Sequence, residues 1–296
     1  MSSSTFQAGA ASGRSEGSRF AEALKLMRRH PTIPLGATVL VAMVAIAILA
    51  PLLCTMDPTA TSLARRLREP SAQFPFGTDM LGRDLYSRVL YGARISLLVG
   101  FSVAIFSSLG GLLLGLIAGF IKRVDVVVMR IMDGLMSIPS MLLAIALMAL
   151  TKGSVINVIV ALTIVEIPRV TRLVRSTVLS LREQPYVEAA VANGAKAPRI
   201  IWRHILPNTF APMSVQATYI CASAMIVEAI LSFIGAGVPP ATPSWGNIMA
   251  EGRALWQVKP HIILFPAVFL SITVLAVNLL GDGLRDSLDP RVAKRL

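Results

Sequence analysis

The stretch Glu188-Ala189-Ala190-Val191-Ala192-Asn193-Gly194, followed by Ile205-Leu206-Pro207-Asn208, lies between two apolar segments of membrane length. Pro185 suits the first turn of a helix, where its missing N–H would be unpaired in any case. Gly194 can adopt the left-handed conformation that closes a helix. The pattern therefore predicts a helix from Pro185 to Ala192, closed at Asn193-Gly194.

A second helix is predicted to begin at Pro198 and to be stopped by Pro207. Val187, Ala190 and Val191 share one face of the first helix by their spacing. One interpretation is that this face enters a groove on another protein. The alternative is an amphipathic helix on the membrane surface, with its basic residues facing lipid phosphates. Those residues are Arg182, Lys196, Arg199 and Arg203.

The composition places the rest of the chain in a lipid bilayer. Hydrophobic residues make up 54% of the 296 residues and charged residues 15%, against roughly 25% charged in soluble domains. Cys54 and Cys221 lie in or beside apolar runs, so the sequence suggests neither a disulfide framework nor a metal site. Basic cytoplasmic loops explain the net charge of +12 better than nucleic-acid binding does.

Six apolar segments predict an all-α membrane protein with six transmembrane helices, at 33–53, 95–121, 126–150, 154–167, 213–236 and 262–280. The fourth has a short apolar core, and its helix is expected to continue through Arg172 and Val178. Cytoplasmic termini place 19 of the 28 Lys and Arg residues inside and 9 outside, which favours that orientation.

The predicted organisation follows from these spans. Residues 1–30 form a flexible cytosolic tail, 31–54 the first transmembrane helix and 55–94 a periplasmic segment. Residues 95–283 form a five-helix core that contains the cytosolic loop 182–208, and 284–296 form a cytosolic C-terminal tail. Prolines and glycines between 237 and 260 exclude a continuous helix there. This segment either lies on the surface near a gate or re-enters the bilayer, with Trp245 at the headgroup level.

The spacing of Glu-Ala-Ala, three residues, Gly, eleven residues and a closing Leu-Pro resembles the EAA motif of bacterial ABC importer permeases. The resemblance implies a type I permease fold in which this loop is the coupling helix that docks onto a cytosolic ATPase. The matching positions are Glu188, Ala189, Ala190, Gly194, Ile205, Leu206 and Pro207. His204 departs from the usual isoleucine, but a His-Ile-Leu-Pro-Asn ending is common in the peptide-permease branch.

Other motifs resemble the DppC/OppC-type permeases of the dipeptide and oligopeptide (peptide/nickel) importers. They occur in the family's order: Phe76-Gly77-Thr78-Asp79, Gly82-Arg83-Asp84 and Ser87-Arg88 before span two; Glu228, Leu231-Ser232-Phe233, Gly235 and Pro243-Ser244-Trp245-Gly246 at the end of span five and after it; Asn278, Gly281-Asp282-Gly283-Leu284-Arg285-Asp286 and Asp289-Pro290 near the C-terminus. Phe74 replaces a usual histidine, and the tryptophan expected near Val165-Glu166 is absent.

By this resemblance the chain is a non-enzymatic transport subunit in the bacterial inner membrane. Its partners would be a homologous second permease (DppB/OppB-like), two ABC ATPase subunits that bind ATP and Mg2+, and a periplasmic substrate-binding protein. The chain itself has no GxxxxGK[ST] loop for ATP. Peptides are the expected cargo, with nickel chelates, glutathione or opines as alternatives. A secondary transporter is the rival class, although the sequence shows neither a chain of acidic residues for a proton relay nor internal repeats.

Charged residues within the apolar segments require partners or water. Arg130 and Asp133 are expected to pair along one helix, and Glu166 to reach water or Arg169. Glu228 has no local partner. It is expected either to form a helix–helix hydrogen bond, for example to Asn278 or to a partner subunit, or to line the translocation path near the outer gate. Glu228, Ser232, Trp245 and Asn278 are therefore the candidate path or gate residues.

Overall fold

The computed structural model describes residues 31–288, and every regular element within this range is helical, apart from one antiparallel bridge between Thr78 and Asp84. The predicted tail 1–30 and the Asp289-Pro290 motif lie outside these residues. The helices are α1 (Thr32–Leu53), α2 (Leu85–Phe120), α3 (Lys122–Met136), α4 (Ser140–Ala149), α5 (Val155–Arg182), α6 (Pro185–Ala192), α7 (Ala197–Ile200), α8 (Leu206–Phe233), α9 (Trp245–Gly252) and α10 (His261–Leu288).

Four of the described helical stretches are long and apolar enough to cross a membrane: α1, α2, the run Ala197–Phe233 and α10. The third predicted span, over 126–150, is bent: α3 and α4 meet at an angle of 89° and are long and apolar enough to cross a membrane only if taken together. Pro139 precedes α4 and restricts Ile138 to conformations outside the α region, which breaks the helix. The fourth predicted span lies in α5, which continues through Val178 to Arg182 as predicted. The count of six spans stays a prediction.

A seam of glycines brings α2 close to α5. Gly111, Gly115 and Gly119 repeat every four residues along α2 and face Val170, Val174 and Val178 on α5. A Cβ built on Gly115 would lie 2.6 Å from the Val174 Cβ atom, and one on Gly119 would lie 2.6 Å from a Val178 methyl group. Such small-residue seams let helix backbones approach closely in membranes. The position of α5 is therefore tied to that of α2.

Helix α1 covers one side of the bundle and packs on α2 and α10. A Cβ on Gly36 of α1 would lie 2.7 Å from the Ala276 carbonyl oxygen, and one on Gly283 of α10 would collide with the Ile33 side chain. Helix α8 fits between α2 and α10, where Gly100 of α2 makes room for Met225. α1 thus covers the face of the bundle formed by α2 and α10 and does not cover the remaining faces.

The segment 56–84 and helix α9 together cover the end of the bundle opposite α6. Trp245 is fully buried here, and its indole N–H donates to the Val89 carbonyl oxygen at 3.0 Å. Trp245 therefore packs inside the protein and does not face lipid, while its depth in the membrane stays a prediction. The turns at 234–244 fold the chain back, so that α9 packs against α2, α8 and α10. The segment 237–260 has no continuous helix, as predicted, but it contains the eight-residue α9.

The second helix of the 182–208 segment, called the EAA segment below, differs from its prediction. α7 begins at Ala197, passes through a π-helical turn at Ile201–Ile205 and continues directly into α8. Pro207 does not stop a helix. It follows the π-helical turn directly, so its missing N–H falls where the hydrogen-bond pattern already departs from that of an α-helix, and the helical run continues.

Candidate functional site

The turn after α6 is a Schellman motif built on Gly194. The Ala195 N–H donates to the Ala190 carbonyl at 3.0 Å, and the Gly194 N–H donates to the Val191 carbonyl at 2.9 Å. Gly194 has a φ of 78°, the left-handed conformation that this motif requires. A Cβ at Gly194 would meet no atom within 4 Å, so the need for glycine comes from its backbone conformation alone.

The EAA segment is anchored to the bundle at both ends. Arg182 donates from Nη1 to the Gly119 carbonyl oxygen at 2.8 Å, and its guanidinium carbon lies 5.3 Å from the centre of the Phe120 ring. Val187 and Ile205 are buried beneath the segment. The predicted helix pair is therefore fixed to the end of α2 as well as to α5.

The outer face of the EAA segment is exposed and partly apolar. Val191 is 56% exposed, Tyr186 43% and Trp202 71%. The face predicted for Val187, Ala190 and Val191 runs from a buried to an exposed side: Val187 is buried and Val191 is exposed, and both line one cavity. The other predicted positions vary: Glu188, Ala189, Gly194 and Pro207 are exposed, Ala190 and Leu206 are half-buried, and Ile205 is buried. Trp202 was not among the predicted residues, although a tryptophan beside Arg203 in a basic loop is a visible signal.

A cavity of about 620 Å³ lies beside this face, between the end of α2 and α6. Phe120, Arg182, Glu188 and Val191 contribute to its wall. The exposed apolar residues and this cavity form one continuous irregular surface, which suits a complementary protein better than a flat interface would.

Glu228 is the centre of a buried hydrogen-bond group at the other end of the bundle. It is fully buried; Ser232 Oγ donates to its Oε1 at 2.8 Å and Ser96 Oγ to its Oε2 at 3.3 Å. The Trp245 backbone N–H lies 3.4 Å from the same Ser96 hydroxyl. These hydrogen bonds join α2, α8 and α9. They involve Glu228, Ser232 and Trp245, which are three of the four predicted path residues.

The fourth predicted residue, Asn278, is half-buried on α10 and makes no side-chain hydrogen bond to Glu228. Ser96 of α2 forms the interhelical hydrogen bond to Glu228 that was predicted for Asn278. Ser96 could have been suspected as a polar residue among the small residues Gly92 and Gly100, each four positions away on the same helix face.

A second buried group, the Arg88 cluster, joins the segment 56–84 to α9. It consists of Asp79, Arg83, Arg88 and Glu251. Arg88 is 1% exposed and donates to Asp79 and to both oxygens of Glu251, at 2.6 and 3.0 Å. Arg83 donates to Asp79 at 2.6 Å and to Glu251 at 2.5 Å. Glu251 was not identified from the sequence, because it lies in no motif and 163 residues from Arg88.

A partly exposed ion pair lies at the same end of the helix bundle, with Lys259 half-buried and Glu69 exposed. Lys259 donates to Glu69 at 2.7 Å, and this hydrogen bond holds the pKa of the Glu69 carboxyl below its usual value.

Ion pairs also fix α3 across α5. Asp133 accepts from Arg172 at 2.7 Å rather than from Arg130, so the predicted pair within α3 is wrong. Asp125 pairs with Arg175 in the same way. The 89° bend turns α3 across α5, which brings its carboxylates to arginines of the neighbouring helix. Glu166 pairs with Arg169 at 3.1 Å, as predicted.

Comparison with known sequences supplies two matching families. Residues 111–294 match the family described as the binding-protein-dependent transport system inner membrane component. Residues 18–70 match the N-terminal transmembrane domain of oligopeptide transport permease C.

Individual relatives match over nearly the whole chain. The chain is 52% identical to a probable peptide ABC transporter permease of Sinorhizobium fredii, over 92% of this chain and 93% of the relative. It is 43% identical to a dipeptide transport system permease of Alkalihalophilus pseudofirmus, over 92% and 90%. The solved structure of an inward-facing methionine ABC transporter has a TM-score of 0.56 at 20% identity, covering 69% of this chain and 98% of that one. This last likeness concerns the fold alone.

Proposed function

Since the chain belongs to the family of inner membrane components of binding-protein-dependent transport systems, we propose that it is the DppC/OppC-type permease subunit of an ATP-driven peptide importer. It is a transport subunit with the type I ABC permease fold, and its relatives are named peptide and dipeptide permeases. Nickel chelates, glutathione and opines are less supported as cargo.

The observation that carries the proposal is the exposed surface of the EAA segment. Val191 and Trp202 stand on a short helix pair whose turn is set by Gly194 and whose base is held by Arg182. A rigid apolar projection of this kind suits the groove of a partner protein, since little conformational entropy is lost on docking. The partners proposed for it are two cytosolic ABC ATPase subunits, which would bind ATP and Mg2+.

The proposed orientation follows from the charge distribution, with both termini and the EAA segment in the cytoplasm. The segment 56–84 and α9 would then face the periplasm, where a substrate-binding protein delivers the cargo. A homologous second permease would complete the translocation path between the two chains.

In the proposed mechanism, movement of the EAA segment is passed to the membrane helices through α5. α5 is one helix of 28 residues, about 42 Å long, with Pro168 inside it, and it ends two residues before α6. Closure of the ATPases on ATP would move the EAA segment, and α5 would carry that movement across the membrane. Because the glycine seam joins α5 to α2, both helices would shift together, which is the rigid-body rearrangement that alternating access requires.

Glu228, Ser232, Trp245 and Asn278 are proposed to act at the outer gate. The first three hold α2, α8 and α9 together, so an opening of the path at this end has to rearrange their contacts with Ser96. Asn278 is proposed to face the path from α10.

The test is reconstitution of the full importer in proteoliposomes, with Val191→Asp compared with Val258→Asp. Val258 is 71% exposed and lies at the end of the helix bundle opposite the EAA segment. Val191→Asp is expected to weaken ATPase-subunit binding by at least about ten-fold, as for a central interface residue, and to abolish ATP-driven dipeptide uptake. Val258→Asp is expected to retain both.

Normal ATPase binding by Val191→Asp would contradict the docking surface. Dipeptide uptake by the chain alone, driven by an ion gradient without ATPases, would instead establish the secondary-transporter class.

A further inference from the structure

A groove of about 380 Å³ lies between α5, α8 and α10, near the end of the bundle that carries the EAA segment. Leu173, Pro212 and Val215 form its apolar wall, and Tyr219 and Arg285 its polar part. Neither the predicted path residues nor the EAA segment contributes to it. The groove is therefore a separate feature of the chain.

Arg285 lines the polar part together with Tyr219, and Asp282 borders it through the Tyr219 hydroxyl, which donates to Asp282 Oδ1 at 2.5 Å. Asp282 and Arg285 are three residues apart on α10 and both are exposed. A carboxylate accepts several hydrogen bonds and a guanidinium donates five, so both groups keep free capacity after meeting Tyr219.

The groove opens on a face of α8 that α1 does not cover. Thr218 and Cys221 line a different cavity together with Leu40 of α1, whereas Val215 and Tyr219 point into the groove. Ionisable residues in membrane helices generally face protein or a water-filled cavity, since exposure to lipid is costly. Asp282 and Arg285 lie just beyond the last apolar segment, 262–280, so this end of the groove meets water and is open to a polar ligand.

We propose that the groove is a binding subsite for the zwitterionic backbone of a short peptide, with Asp282 receiving the terminal ammonium and Arg285 the terminal carboxylate. A dipeptide spans at most about 7 Å, which matches the spacing of side chains three residues apart on a helix. Leu173, Pro212 and Val215 contact the peptide side chains without selecting among them. This inference rests on the proposed peptide-import function and names a place where the cargo is held on its way to the cytoplasm.

The test places one thiol in the groove of the complete importer in lipid nanodiscs. Cys54→Ser and Cys221→Ala remove the native thiols, and Val215→Cys supplies the probe, with Ala211→Cys one turn away as a second position. The rate of modification by a small water-soluble thiol reagent is measured with increasing dialanine. N-acetyl-dialanine amide, which lacks both terminal charges, is the matched ligand control.

Dialanine is expected to slow modification at both positions, and the uncharged analogue to leave the rate unchanged. Asp282→Asn and Arg285→Gln are each expected to raise the half-protecting dialanine concentration by roughly ten-fold, the effect of losing one hydrogen bond to a charged group. Asp57→Asn, the same substitution at an exposed site near the opposite end, is expected to have no effect.

Protection by both ligands, protection by neither, or thiols inaccessible to the reagent would overturn the subsite. ATP-driven dipeptide uptake by the same proteins separates the two proposals. Uptake without selective protection removes the groove inference alone, whereas absence of uptake in the wild-type importer removes the proposed function.

Discussion

Arg182, the last residue of α5, donates a hydrogen bond of 2.8 Å to the carbonyl oxygen of Gly119, the penultimate residue of α2. This contact satisfies a carbonyl at a helix end, where no further helical N–H is present. It also places the base of the EAA segment on two membrane helices instead of one. Movement of the segment is therefore transmitted to α2 and α5 together.

Replacing Arg182 with alanine is expected to loosen this connection. The variant should retain ATPase binding but lose most of the coupling between ATP hydrolysis and peptide uptake, because α6 keeps its exposed face while its base is released. The peptide transported per ATP hydrolysed is the measurement. Arg199→Ala, on the exposed side of the same segment, is the matched control, and equal ratios for the two variants would contradict the role of Arg182.

Gly194→Val is expected to uncouple ATP hydrolysis from transport. Valine at a φ of 78° is strained by at least about 1–2 kcal/mol, so the Schellman turn would open and α6 would change its angle. Gly194→Asn, which tolerates the left-handed conformation better, should keep more of the coupling. Wild-type substrate-stimulated ATPase activity in Gly194→Val would count against this view.

Gly115→Ala is expected to destabilise the α2–α5 seam by about 1–3 kcal/mol, since the added methyl would meet Val174 at 2.6 Å and the Thr171 carbonyl at 2.8 Å. The midpoint of thermal unfolding in detergent measures the loss. Gly110→Ala is the control, because its methyl would meet only the end of the Ile167 side chain, at 3.2 Å. Similar midpoints for both variants would show that the seam is not tightly packed.

Removal of Arg88 should be among the most damaging single changes. Arg88→Ala leaves the Asp79 and Glu251 carboxylates with Arg83 as their remaining arginine partner, and breaking a buried ion pair costs about 3–5 kcal/mol. Loss of folded protein, measured by size-exclusion chromatography, is the expected result. Lys259→Gln, which breaks the exposed pair with Glu69, should elute as the wild type does. A monodisperse Arg88→Ala protein would refute the structural role of the cluster.

Glu228→Gln is expected to lower peptide uptake several-fold while leaving the complex assembled. Glutamine fills the same volume, so packing is retained, but the amide offers one oxygen acceptor where the carboxylate offers two to Ser96 and Ser232. Initial uptake rates in vesicles and subunit stoichiometry are compared with those of Ser96→Ala. Unchanged uptake kinetics in both variants would remove Glu228 and Ser96 from the gate.

Much of the fold followed from local signals. The apolar runs marked the helices, and Pro185 with Gly194 set the bounds of α6, because helix initiation and closure depend on residues within one or two turns. The same reasoning failed at Pro207, where the preceding residues were already helical. It failed again in the 126–150 region, where the length of the mostly apolar run indicated one span in spite of Pro139.

The ion pairs show how far local sequence predicts side-chain partners. Glu166 pairs with Arg169 one turn away on the same helix, so this pair was predictable from the sequence. Arg130 is equally near Asp133 in the sequence, but Asp133 pairs with Arg172 on another helix. Which partner is chosen depends on how α3 crosses α5, and hydropathy does not encode a crossing angle.

The sequence by itself determined that this is a helical membrane permease with an ordered EAA segment, because apolar length, turn residues and motif spacing are properties of neighbouring residues. Only the tertiary structure decided that Arg182 reaches Gly119, that Trp245 is buried, and that Arg88 and Glu251 pair across 163 residues. These contacts depend on the close approach of helix backbones along the glycine seam and on the folding back of α9. Both arise from packing among distant segments, which no local pattern specifies.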